Sequence, residues 1–361
     1  MPPSDIPILF SKILLLALLY NFTYIKAMDE LQMNKTTQLT KSIPEFMKSW
    51  NAYKKGLNGL KITYWCISSD YCFNDKDKHD VATFTIFPAD YMKGLLAELK
   101  ENLPRDIKDI RDFSEKELNY IKNSKYYFSI SVLINNIKAS FDKDAAIKQV
   151  ERLLKIRQSD FPFYVSENEF RENHDRLQEL YKSLTKKNCP YKLLAETFFV
   201  AHFVACIIEF LLIKENSKHI GWCSDRGNIV SNNKNTIFNL VNMYVNHYLK
   251  FRISNYHLAF ASEITKDLDY FIRIPDIITG AISSLIATER GIVTQKKKHC
   301  ILMNQSIIDN TRILALLYDY DENGTFSGRR MFFESLDKCQ LFKFEREYLK
   351  SLEYNSNTTV G

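Results

Sequence analysis

Residues 191–214, YKLLAETFFVAHFVACIIEFLLIK, are apolar on nearly every side of a helical projection. A helix of that kind cannot lie on a surface; other elements must enclose it. Pro190, just ahead of it, suits the first turn of a helix, where its missing N–H costs nothing. A membrane span is the other environment that tolerates such a segment, and Glu196, His202 and Glu209 within it argue for a protein core instead. Whatever surrounds this helix therefore has to come from the rest of the chain.

The flanking sequence supplies candidates of two periods. Residues 44–58 read as a short helix. KITYWCISSD (61–70) and VATFTIFP (81–88) are rich in β-branched and aromatic residues and flank the polar run NDKDKHD, so they read as a hairpin. ADYMKGLLAELKENL has helical spacing and ends just before Pro104. KYYFSISVLIN is a third strand candidate. A helical middle follows, with Asp142 placed to cap DKDAAIKQVERLLKIR and a second amphipathic run in FRENHDRLQELYKSLTKKN. Beyond the apolar helix come a strand in KHIGWCSD, a helix in NTIFNLVNMYVNHYLKF, a strand in NYHLAFASEI and a helix in IPDIITGAISSLIATERG, where Gly280 and Ala281 permit close packing. A further helix is expected over 306–320 and a shorter one over 331–337. Three strands, then helices, then strand, helix, strand and helix describe an α/β fold built on a mixed sheet with crossover helices.

The expected organisation is one α/β domain over residues 44–338, a helical insertion at about 136–190 and a C-terminal tail at 339–361. Residues 1–27 are a separate question. IPILFSKILLLALLYNFTYI has the length of a signal or anchor segment, but MPPSD carries no positive charge and Lys12 interrupts the run. Export, membrane anchoring and a functionless extension ahead of Met28 all remain open. The protein meets a membrane only if that segment is retained.

Lysine and arginine number 49 against 43 acidic residues, a net charge of +6. That balance is compatible with a nucleic-acid partner and equally with an ordinary surface. The seven cysteines form no zinc-type cluster and no even framework, which fits a reducing, cytoplasmic compartment. No Walker A loop, GxSxG elbow or dinucleotide fingerprint is present, so no small-molecule cofactor is expected. DYDENGT resembles the start of a calcium loop but lacks the closing Glu and reads as a turn. QKKKHC (295–300) is a short basic run, suited to a phosphate contact and more simply read as a solvated loop. His202, His247 and His257 stand alone on apolar or amphipathic segments. The sequence carries no indicator of oligomeric state.

Three acids stand where an α/β sheet concentrates function. Asp225 ends the strand in WCSD, Asp70 ends the strand in WCISSD, and Asp276 opens the helix in IPDIITGA. Ligands bind beyond the carboxyl ends of the strands in open α/β sheets. Converging carboxylates suit hard divalent cations, and two such ions about 4 Å apart can activate water and stabilise a leaving phosphodiester oxygen. Each acid also has a plainer role. Asp225 sits among the turn formers SDRGN beside Arg226, Asp276 follows Pro275 as a helix-start residue, and Asp70 suits a solvated turn.

The ordered strands, HIGWCSDRGNIV and IPDIITGAISSLI together resemble the ribonuclease-H-like superfamily. More narrowly they resemble an uncharacterised bacterial family within it, with Asp-Glu-Ser-Gly on its first strand and an ADLIAGA-like last core helix. The resemblance covers roughly residues 61–290. It places Asp225 and Asp276 on the family's strand and helix carboxylates and implies a Mg²⁺- or Mn²⁺-dependent nuclease acting on nucleic acid. The family's helix before the fourth strand can supply a further acid, and Glu196 and Glu209 are the candidates. The first strand departs from the pattern: Ser68, Ser69 and Asp70 stand where Asp-Glu-Ser-Gly is expected. Asp70 shares a strand face with Ser68, displaced by about 6–7 Å along the strand. Either Asp70 substitutes for the missing acid, or the site is degenerate and the chain is a binding or structural module.

Overall fold

The computed structural model describes residues 37–343, apart from short internal stretches at 44, 105–110, 136–141, 160–166, 187–190, 226–227, 232–235, 250–255, 262–267, 289–290, 295, 321–325, 332–333 and 336–341. The hydrophobic segment at 1–27 and Arg226 lie outside the described residues. The structure is α/β.

Two helices lead in, α1 (Gln38–Ser42) and α2 (Phe46–Gly56). The hairpin read from the sequence forms β1 (Tyr64–Cys72) and β2 (Val81–Pro88), paired antiparallel with Ile67 opposite Ile86. A turn of 3-10 helix leads to α3 (Met92–Asn102), and α4 (Glu115–Asn123) precedes β3 (Phe128–Asn135), antiparallel to β2. The helices α5 (Lys143–Ser159) and α6 (Glu167–Leu184) follow. Asp142 caps α5 as the sequence suggests, its Oδ1 accepting from the Ala145 N–H at 2.8 Å.

The apolar segment is α7 (Tyr191–Lys214), which leads to β4 (His219–Ser224), α8 (Asn228–Ser231), α9 (Thr236–Leu249) and β5 (His257–Ala261). Both β4 and β5 are parallel strands, β4 added beside β1 and β5 beside β4. The chain then forms α10 (Asp269–Ser283), a small hairpin of β6 (Leu285–Thr288) and β7 (Gly291–Thr294), and α11 (Lys297–Leu302). It closes with β8 (Ile313–Tyr320), β9 (Phe326–Arg330), β10 (Glu334–Ser335) and β11 (Phe342–Lys343). The main sheet has seven strands in the order β5-β4-β1-β2-β3-β8-β9, and β10, β11, β7 and β6 make a second, four-stranded sheet.

Strand alternation divides the interior into two cores. Trp65 and Ile67 of β1 and Ala82, Phe84 and Ile86 of β2 face α7, which is enclosed by α1, α2, α5, α8 and α9. Leu194 through Leu212 are almost wholly buried, so α7 is a central core helix. It is the one described helix long and apolar enough to cross a membrane, and protein surrounds it. On this side Trp50 fills the centre of an aromatic cluster, with Phe46, Tyr53, Trp65, Phe128 and Phe210 rings 5.1–6.0 Å away. Its indole N–H donates to Glu215 Oε1 at 2.6 Å.

The other face carries α10, lying across β1, β2 and β3. Small hydroxyl residues line the sheet beneath it. Thr83 pairs with Ser131 at 2.9 Å and Thr85 with Ser129 at 2.8 Å, so these buried polar groups satisfy one another across the strands. Arg273, 6% exposed, ties α10 to the end of α3 by donating to the Leu103 carbonyl at 2.7 Å.

Three expectations are corrected. Residues 313–320 form a strand, because ILALLYDY is a continuous buried run whose period does not separate strand from helix; only Met303–Ile307 of that region is helical. Residues 334–335 are strand, paired with 342–343, where a short helix was expected. The last core helix begins at Asp269, ahead of IPDIITGA, and stops at Ser283, so Pro275 and Asp276 lie in its interior and Leu285–Thr288 is strand.

Trp50→Ala removes the ring at the centre of this cluster and should cost roughly 3–5 kcal/mol, the range for a buried aromatic truncated to alanine. Chemical denaturation of the two proteins measures it, and a loss under 1 kcal/mol would show that the cluster collapses around the gap.

Candidate carboxylate site

The parallel register of β1 and β4 pairs Ser69 with Ser224, and the Asp225 N–H donates to the Ser69 carbonyl at 2.9 Å. Asp70 and Asp225 are therefore the next residues on two adjacent strands, whose axes lie about 4.8 Å apart. Asp70 is two residues short of the end of β1, where the sequence reading had placed it at the end.

Asp276 reaches them from above, through an irregularity in α10. Proline has no N–H, so Pro275 leaves the carbonyl four residues earlier, that of Phe271, without its helical donor. The Ser68 hydroxyl donates to that carbonyl at 2.8 Å. Two turns along α10, the Thr279 hydroxyl donates to the backbone carbonyl of Asp70 at 3.4 Å. These two bonds stitch α10 to β1 on either side of Asp276. A proline inside an apolar helix frees a carbonyl that a buried neighbour must satisfy, but the sequence reading began the helix at IPDIITGA and so did not show it.

The second serine works on the opposite face. Ser69 Oγ lies 2.6 Å from the Tyr71 hydroxyl and accepts from the Trp222 indole N–H at 2.9 Å, while Ser224 Oγ donates to the Tyr71 hydroxyl at 3.0 Å. Burial pushes the Tyr71 phenol up, so it stays neutral and serves as a hydrogen-bonding post. Ser69, Tyr71, Trp222 and Ser224 thus brace β1 against β4 directly behind the pair Asp70 and Asp225.

Asp70 is 7% exposed. Burial raises its pKa well above the ordinary carboxylate value, and the negative charges of Asp276 and then Asp225 raise it further. Hydrogen bonds from Thr279 and the Tyr71 N–H act in the opposite direction and do not prevail. Asp225 and Asp276 are both half-buried.

Glu196 and Glu209, both 1% exposed, do not join this group. They belong to α7, on the other side of the sheet. Glu196 Oε1 accepts from the Asn74 side chain at 2.7 Å, close to the end of β1. Glu209 Oε2 accepts from the Gln38 N–H at 2.8 Å, satisfying an otherwise orphaned donor at the start of α1.

The donor set of Asp70, Asp225 and Asp276 is all oxygen, which fits a hard divalent cation in kind. As placed, no three His, Cys, Asp or Glu side chains among the described residues form a ready-made cage. Comparison with protein-family models, with curated proteins and with solved structures returned no match.

Ser68→Ala should cost about 1–3 kcal/mol by orphaning the Phe271 carbonyl. In a Pro275→Ala background residue 275 regains its N–H, and the same substitution should then cost markedly less. A double-mutant cycle by denaturation reads this coupling; equal costs in both backgrounds would separate Ser68 from Pro275.

The raised pKa of Asp70 sets the sign of a second effect. Below the unfolded-state value both states hold the proton. Above it the unfolded chain ionises while the folded one does not, so stability falls by about 1.4 kcal/mol per pH unit until the folded pKa is passed. Asp70→Asn should therefore be more stable than the wild type at neutral pH and show a flatter decline of Tm from pH 4 upward. Parallel Tm profiles for the two proteins would contradict this.

Proposed function

We propose that this chain is a ribonuclease-H-like, Mg²⁺- or Mn²⁺-dependent nuclease that hydrolyses phosphodiester bonds. The observation that carries the reading is the meeting of three like charges, Asp70, Asp225 and Asp276, contributed by β1, the end of β4 and α10. Isolated like charges are separated by folding; here a proline, two serines and a threonine are arranged to hold them together. An arrangement that disfavours its own ionisation in the absence of a cation is one that a bound cation stabilises. The element order supports the same reading: an antiparallel run β1-β2-β3, then β4 and β5 added in parallel on the β1 side, with α10 closing over β1.

In this reading the divalent ion supplies Lewis acidity and a water of lowered pKa. The chain's own residues hold and orient it. Asp225 and Asp276, half-buried, form the solvent-facing pair of ligands, and Asp70 closes the site from below. Asp70 must lose its proton for the ion to enter, so affinity rises with pH through the Asp70 titration. Ser68 and Thr279 fix the height of Asp276 over the strand, and the bracing behind β1 and β4 fixes the spacing of the other two. Glu196 and Glu209 are structural acids in this scheme.

The alternative is a non-catalytic binding or structural module of the same fold, favoured by the lack of a ready-made cage among the described residues. Cleavage of labelled single- and double-stranded DNA and RNA with Mg²⁺ or Mn²⁺ separates the two. The wild type should cleave at least one substrate. Asp225→Asn should lose that metal-stimulated cleavage, by at least about a hundredfold (~2.7 kcal/mol of barrier), with an unchanged far-UV circular dichroism spectrum. Undiminished cleavage by Asp225→Asn would refute the site, and no cleavage by the wild type would select the binding module.

A further inference from the structure

Residues 296–300, KKKHC, part of a run read from the sequence as a solvated loop, are anchored at the C-terminal end of α10, the helix that carries Asp276. Two attachments meet at that end. His299 Nδ1 lies 2.8 Å from Ser284 Oγ, the residue that follows α10, which anchors α11. The β1–β2 loop is tied to the same end, where the His79 N–H donates to the Ser283 carbonyl at 3.0 Å. That loop carries Lys78, paired with Asp75 at 2.8 Å. The residues Lys78, Lys296, Lys297 and Lys298 are thus gathered at one end of the helix whose interior holds Asp276. Lys296 and Lys297 are exposed and Lys298 is half-buried.

The electrostatics of the neighbours agree. The pKa of His299, 4% exposed, is pushed down to about 4, by burial first and then by Lys298, Lys296 and Lys78 together. It is neutral at physiological pH and acts as a buried post beneath three cations. The Lys78 ammonium is favoured first by its bond to Asp75 and, more weakly, by the charge of Asp276. The cationic cluster and the acidic site therefore share one field.

We propose that Lys78, Lys296, Lys297 and Lys298 form a phosphate-binding rim that holds a nucleic-acid strand across the carboxylate site. The proposal deepens the nuclease reading and rests on it for the identity of the partner. From Ser283 to Asp276 along α10 is about 10 Å at 1.5 Å per residue. Along a duplex that distance corresponds to about three nucleotides at 3.4 Å of helix axis per strand residue. Ammonium groups at one end of this span neutralise phosphates flanking the one presented to the acids. Without them, the ionised acids of the site would repel the substrate they are meant to engage.

The test measures binding, not turnover. A fluorescein-labelled 20-nucleotide single strand, as DNA and as RNA, is titrated with Asp225→Asn protein from 50 to 200 mM KCl and followed by anisotropy. The same is done with K296E/K297E added, and with K148E/K155E, which reverses two exposed charges on α5 across the sheet. The rim pair should lose at least about tenfold in affinity at 50 mM KCl, and its log K against log salt slope should fall by about 1.4, two phosphates at roughly 0.7 each. The α5 pair should change affinity by less than about threefold. Equal losses in the two pairs, or no measurable binding by the parent protein, would overturn the rim. Binding that depends on Lys296 and Lys297 in a protein whose wild type cleaves nothing would remove the nuclease reading and leave the rim standing. Cleavage by the wild type with rim-independent binding would do the reverse.

Discussion

The Phe271 carbonyl, deprived of a helical donor by Pro275 and satisfied by the Ser68 hydroxyl, is the contact on which the arrangement of the acids depends. A buried carbonyl left unmade would cost about 1–3 kcal/mol, so the bond is close to obligatory once Pro275 lies inside α10. It fixes the helix at one point over β1, and the Thr279 bond to the Asp70 carbonyl fixes it at a second. Two such points oppose sliding of the helix along the strand. Asp276 is therefore held above Asp70 chiefly by hydroxyl bonds to backbone carbonyls.

Holding the acids together is unfavourable in itself. Asp70 is buried, and each of its two acidic neighbours raises its pKa further. The fold absorbs this with an extensive apolar interior on both faces of the sheet. One side is built around α7 and the aromatic cluster at Trp50, the other around α10 and the ends of β1, β3 and β8. The hydroxyl pairs Thr83 with Ser131 and Thr85 with Ser129 serve the second side differently. They keep the sheet surface shallow, which lets α10 lie close enough for short hydroxyl-to-backbone bonds.

Elements with a strong local signal were legible in the sequence. The hairpin of β1 and β2, the buried character of α7, the cap at Asp142 and the strand before Asp225 all follow from period, turn chemistry or side-chain capping. The misreadings have a common physical origin in tertiary context. ILALLYDY is equally apolar as helix or strand, and only pairing with β3 decides it. Pro275 suits a helix start, and nothing local says that the helix already exists six residues earlier. The double serine looked like a lost acid because its two partners are distant, Phe271 for Ser68 and Trp222 for Ser69. A residue that serves a contact 150 or more positions away leaves no periodic trace. Glu196 and Glu209 show the converse: acids in an apolar helix are candidates for ligands or for paired core residues, and the structure gives them a side-chain amide and a helix-end N–H as partners.

One topological fact places the acids and the lysines at the same edge. The strands β1 and β4 are parallel, so their carboxyl ends, with Asp70 and Asp225, point the same way. The strand β2 runs back antiparallel, so the loop joining it to β1 turns at that same edge and carries Asp75 and Lys78 with it. The end of α10 docks onto this loop through the His79 N–H, and α11 follows through Ser284 and His299. No separate device is needed to bring a cationic segment to an anionic site. The reversal between β1 and β2 and the crossover of α10 suffice, and the residues at those two turning points set the charge at that edge of the sheet.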